Sequence, residues 1–91
     1  MSLEYVYPRT IFVATVSLKS QIEKVESEIF EAHQLLGRKN PNLQKVAEEV
    51  EDAIQALETL RRNLQENHQV FVNKARAKVL KKNQKREVYA L

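Results

Sequence analysis

The chain has 91 residues, a net charge of +3, 30% charged side chains, one Gly, two Pro and no Cys. A chain of this length makes one small domain that buries only about 60% of its unfolded surface, so its stability is modest unless a partner adds to the core. The missing cysteines exclude a disulfide scaffold and thiolate-bound metal, the lone glycine excludes a Gly-rich phosphate loop, and the weight of Leu, Ala, Val, Glu, Lys and Gln is that of long helices or a coiled coil.

Residues 1–9 read as an extended N-terminal strip, because Tyr7 precedes Pro8 and a residue before proline is pushed out of the helical region. The remaining residues, 10–91, read as a single helical-hairpin domain. The longest apolar run, 10–18, is far short of the ~20 residues a membrane span needs. It follows Glu4 and Arg9 rather than a basic leader, so a soluble, intracellular protein is expected, with cytoplasm and nucleus not distinguished.

A first helix is expected over about 10–36. Ile11, Thr15, Leu18, Ile22, Val25, Ile29, Ala32 and Leu36 alternate spacings of four and three, the seam of a helix that packs on another. Two features pull the other way. Thr10 to Val16 is rich in β-branched residues, and Ser20 with Glu23 has the form of a capping box, which would start the helix at Ser20 and leave 10–18 extended.

The tight turn falls at 37–40. Gly37 suits a left-handed helix end, Arg38 and Lys39 suit the negative end of the helix dipole, and Asn40 followed by Pro41 is a restart signal. A link this short predicts an antiparallel hairpin.

The second helix is expected over about 41–86. Leu43, Val46, Val50, Ala53, Leu57, Leu60 and Leu64 carry the seam, Phe71 continues it, and Asn67 interrupts it. Glu58 and Arg62 are spaced for an ion pair on the outer face. A break near Asn67–His68 is the alternative, although no Gly or Pro compels one. Folded as a hairpin, the first helix runs out near His68, and Phe71, Val72, Val79 and Leu80 lack a partner unless Tyr5 and Tyr7 reach them. The expected architecture is therefore all-α, with the hairpin completed into a bundle or coiled coil by self-association or by a partner helix. The expected interface comprises Leu57, Leu60, Leu64, Phe71, Val72 and Val79.

No constellation points to catalysis. His33 and His68 are far apart in the hairpin and neither follows a Glu by three residues, as a di-iron bundle requires. Glu48, Glu49, Glu51 and Asp52 read as a solvated face in the first half of the second helix. The serines have no nucleophile-elbow motif. No enzyme activity, metal or cofactor is expected.

One segment stands out by charge. Lys74, Arg76, Lys78, Lys81, Lys82, Lys85 and Arg86 are seven cations without an acid among them, which leaves eight basic and twelve acidic side chains in the rest of the chain. Such a helix end can lie on phosphate or an anionic surface by charge alone. The leading expectation is an interaction or scaffold module that pairs with itself, as an antiparallel dimer or higher even oligomer, or with another helical protein. Nucleic-acid or anionic-surface binding through 74–86 is the alternative. Antiparallel pairing of two copies also keeps the two basic segments apart.

Overall fold

The computed structural model describes residues 4–90; residues 1–3 of the expected strip and Leu91 lie outside them. All regular elements among the described residues are helices: α1 (Phe12–Thr15), α2 (Leu18–Leu36), α3 (Leu43–Asn67) and α4 (Val72–Lys85). α2 and α3 pack closely on each other. Their contacts climb one helix while descending the other. Val16, just before α2, meets Asn63; Gln21 meets Ala56; Glu28 meets Glu49. The two helices thus run in opposite directions.

The continuous helix expected over 10–36 is broken. Val16 and Ser17 are extended, with ψ of 137° and 159°. The β-branched run weakens helix here, and Ser17 starts a new one, its hydroxyl oxygen accepting the Ser20 N–H at 3.1 Å. Ser20 is therefore the donor at this cap rather than the cap itself. Two carbonyls at the end of α1 are taken up by amides of α3. Asn63 Nδ2 donates to Val16 O at 2.9 Å and Asn67 Nδ2 to Val13 O at 2.6 Å. The apparent polar interruption of the seam at Asn67 is thus the partner of a helix end 54 residues away.

The turn also differs from expectation. Gly37 has φ −74° and ψ −7°, an ordinary right-handed conformation. Its N–H continues the helical pattern to His33 O and Gln34 O. The restart uses Asn42 rather than Asn40: the Asn42 side chain accepts the Lys45 N–H at 3.2 Å, and α3 begins at Leu43. Pro41 lies one position before this cap, and a proline disfavours the helical region for the residue ahead of it.

The long second helix over 41–86 is likewise interrupted, at 68–71. Gln69 takes the left-handed conformation (φ 55°) and the Val70 N–H turns back to Leu64 O at 3.0 Å. A left-handed residue that returns an N–H to the last turn is how helices commonly end, here without glycine. α4 then leaves the body. Val72 is buried and Asn83 half-buried, while the other residues of α4 are exposed.

The packed interior is slim. The buried apolar residues are Val13, Val25, Ala53, Ala56 and Val72, and beside them lie buried Gln21, Glu28, Glu58, Thr59 and Asn63. The contact face of each helix is turned by about one residue from the expected seam. Val25 and Ala53 of that seam are inside, but Ile22, Ile29, Leu36, Leu43, Val50 and Leu57 are 40–66% exposed. Ala53 and Ala56 account for the turn in part, since small side chains let two helix axes approach closely. The amide of Gln21 fixes the crossing, with Nε2 donating to Ala56 O at 2.9 Å.

Candidate interaction surface

The strip before α1 is held by α3. Glu58 is 5% exposed, and its two carboxylate oxygens accept the backbone N–H groups of Val6 and Tyr7 at 2.7 and 2.8 Å. Charge-assisted bonds of this kind are about twice as strong as neutral ones. Arg62 Nη2 donates to Tyr7 O at 2.9 Å, and its guanidinium lies 4.0 Å from the centre of the Tyr5 ring. Tyr5 donates its hydroxyl to Gln65, Tyr7 to Glu51, and Arg9 pairs with Glu66 at 3.1 Å. Thr10 and the buried Thr59 share a hydrogen bond of 3.0 Å.

The expected ion pair of Glu58 and Arg62 on an outer face is thereby corrected. Both side chains grip the strip. Glu51 too is in use, so the acidic cluster is not simply solvated. The Tyr7 hydroxyl is correspondingly harder to ionise, pushed up to about 12 by its bond to Glu51.

Beyond the strip, α1 borders a cleft of about 470 Å³ between α2 and α3, lined among others by Phe12, Val16, Lys24, Asp52 and Gln55. Nearer the turn, carboxylate oxygens of Glu28, Glu31 and Glu49 lie within 4.8 Å of one another. Lys24 Nζ answers one of them, 2.7 Å from Glu28, and that contact lowers the Glu28 pKa. Glu49 is pushed up to about 7 by a hydrogen bond with Glu31 that requires a proton, then by burial. His33 and His68 are both exposed, the first near the end of α2 and the second just past α3.

The residues expected to form an interface divide three ways. Leu57 (41%), Phe71 (75%) and Val79 (49%) are exposed, and Leu60 and Leu64 are half-buried. Val72 is 9% exposed and is withdrawn from that set, because it anchors the start of α4 inside the chain. Tyr5 and Tyr7 do not cover Phe71, Val79 or Leu80; their bonds are to α3. Lys74, Arg76, Lys78, Lys81, Lys82, Lys85 and Arg86 are all exposed on or just after α4, with Lys74 Nζ 5.7 Å from the centre of the Phe71 ring.

Glu58, Arg62, Asn63 and Asn67 were not distinguishable as structural anchors by hydropathy. Only Asn67 gave a signal, polarity where the apolar seam would otherwise continue. No helix among the described residues is long and apolar enough to cross a membrane. Comparison with family models, with curated proteins and with solved structures finds no match.

Proposed function

We propose that the chain is a non-enzymatic interaction module, an antiparallel helical hairpin of α2 and α3 that self-associates or pairs with partner helices in a larger assembly. The observation that carries this reading is the inversion of size between inside and outside. The interior is Val and Ala with hydrogen-bonded polar groups, while Ile22, Ile29, Phe30, Leu36, Leu43 and Leu57 stand at least two-fifths exposed. Full burial of one such side chain is worth ~1.5–3 kcal/mol, and contiguous apolar surface of this kind marks an interface. Burial-driven association persists at about 0.5 M salt, where exposed charges are screened within a few ångströms. Sedimentation in low and high salt tests the self-association: a salt-insensitive rise in mass with concentration supports it, and a mass of 10.6 kDa throughout removes it and leaves only a foreign helix as partner.

A second reading rests on α4. Its cations are all exposed, so an anionic partner has access to them. Duplex DNA is the probe for a gel shift at low salt. Replacing Lys78, Lys81, Lys82 and Lys85 by Gln should flatten the dependence of log affinity on log salt by about four contacts' worth, close to −0.9 per phosphate neutralised. A parent chain that shifts no DNA at low salt ends this reading.

A further inference from the structure

Each helix of the pair carries a row of exposed apolar residues one position after the residues that face its neighbour. On α2, Gln21, Glu28 and Leu35 are buried or half-buried, and Ile22, Ile29 and Leu36 follow them at 40%, 54% and 52% exposed. On α3, Glu49 and Ala56 are half-buried and buried, and Val50 and Leu57 follow them at 45% and 41%, with Leu43 a heptad earlier at 66%. One position is about 100° around a helix. Because α2 and α3 run oppositely, the same step turns both rows toward the same side of the pair. The level of the contacts, Gln21 with Ala56 and Glu28 with Glu49, sets Ile22 beside Leu57, Ile29 beside Val50 and Leu36 beside Leu43. These are three apolar rungs seven residues apart, ~10.5 Å between rungs. The cleft and α1 occupy the opposite side, since Ser20, Lys24, Asp52, Gln55 and Thr59 line that cleft.

We propose that this three-rung face docks on the same face of a second copy, about a two-fold axis that passes through the Ile29–Val50 rung at right angles to the helices. The proposal rests on the self-association reading and names its surface. In this arrangement α2 lies antiparallel on the partner's α2 and α3 on the partner's α3, giving a four-helix bundle. Three features select it.

The rungs are symmetric about the middle one, so the axis lays Ile22 and Leu57 over the partner's Leu36 and the partner's Leu43, apolar on apolar along the whole contact, as an isologous interface requires. Next, the borders match. Helix phase places Glu26 and His33 on the outer border of the α2 row, three and four residues either side of Ile29, so the axis sets Glu26 against the partner's His33. Ala47 and Ile54 border the α3 row in the same way and meet each other across the axis. An axis parallel to the helices would instead set Glu26 against the partner's Ile54, and His33 against the partner's Ala47, polar against apolar. Finally, the chosen axis sends the two α4 segments, each rich in cations, to opposite ends of the dimer, whereas the parallel axis brings them to one end.

The chain has no cysteine, so single cysteines report on this geometry directly. Ile29→Cys and Val50→Cys replace half-exposed residues and should leave helicity unchanged in circular dichroism. With a short bismaleimide, each variant alone should yield covalent dimer, and Phe71→Cys, far from the axis, should remain monomeric on a denaturing gel. If dimer forms only when the Ile29→Cys and Val50→Cys proteins are mixed, the axis runs along the helices and the proposed arrangement is wrong. If the parent sediments as a dimer yet neither rung variant cross-links, the face is wrong while self-association stands. A parent that sediments as a monomer removes both.

Discussion

The two long sides of the α2–α3 pair are built on the same two helices yet carry different chemistry. One side, together with the outer flank of α3, is sheathed by the N-terminal strip and α1 through directed polar contacts: Glu58 to two backbone N–H groups, Arg62 to a carbonyl, Asn63 and Asn67 to the carbonyls ending α1. The other bears the rows of Ile22, Ile29, Leu36, Leu43, Val50 and Leu57, all at least 40% exposed. Directed hydrogen bonds specify one occupant in one register, and here that occupant is the chain's own strip. An apolar side that is merely regular specifies spacing and admits another helix with the same spacing. The difference separates what folds the chain from what the fold leaves uncovered.

The sharpest way to break the comparison is at Glu58. Glu58→Ala removes the acceptor of two charge-assisted bonds, so stability should fall by about 3 kcal/mol and the strip should become protease-sensitive. Ile29→Asp, on the other side, should leave the thermal melt of the dilute protein nearly unchanged and abolish the rise of mass with concentration. A small effect of Glu58→Ala in urea denaturation would mean the strip is an accessory rather than part of the core.

Next in size is Asn67→Ala, which leaves Val13 O without its donor. A loss of roughly 2 kcal/mol is expected from one buried carbonyl left unpaired. Calorimetry decides it, and an unchanged melting temperature would show that water replaces the amide.

A subtler effect belongs to the carboxylates that meet between α2 and α3 near the turn. Glu49 is held at about 7, above its ordinary value near 4.5, so the folded chain binds a proton more tightly than the unfolded one there. Its contribution to stability is therefore full below the ordinary value and is lost as pH rises through about 7. Glu28 is shifted the other way by Lys24, so its contribution is lost on acidification below the ordinary range. Stability of the parent should decline from pH 5 to pH 8, and Glu49→Gln should flatten that decline. An identical slope in the variant would place the titrating group elsewhere.

The smallest effect lies at Gly37. Its backbone is right-handed, and a Cβ there would stand 3.5 Å from Gln34 O and 3.8 Å from His33 O, ordinary contact distances. Gly37→Ala should stabilise the chain by about 0.5 kcal/mol through the unfolded state. A destabilised variant would show that the turn does need glycine.

These residues also show how much the sequence could reveal. Helical class, the link after Leu36 and the exposed cations of α4 were legible, because periodicity, backbone breakers and charge runs are local signals. The phase of the α2–α3 contact was not. An apolar seam predicts which residues prefer to be buried, but not that a strip from the far end of the chain and amides such as Gln21 and Asn63 would turn the helices by about a residue. The two breaks were visible only as alternatives, a helix start at Ser20 and an interruption near Asn67–His68, for a related reason. Val16 and Gln69 follow the ends of α1 and α3 without Gly or Pro, and what makes the first break tolerable, Asn63 and Asn67 on the freed carbonyls, is remote in sequence. Of the candidate surface, Leu57 was identified and Ile29 and Val50 were assigned to an intrachain seam, since buried and exposed apolar residues look alike in a sequence.

The proposal that the bare side joins two copies is tested most directly by sedimentation equilibrium of the unaltered chain up to about 100 μM, enough to saturate a micromolar dimer. The mass is expected to rise from 10.6 kDa toward twice that value, equally in low and high salt and with helicity constant. A mass fixed at 10.6 kDa at every concentration would contradict it.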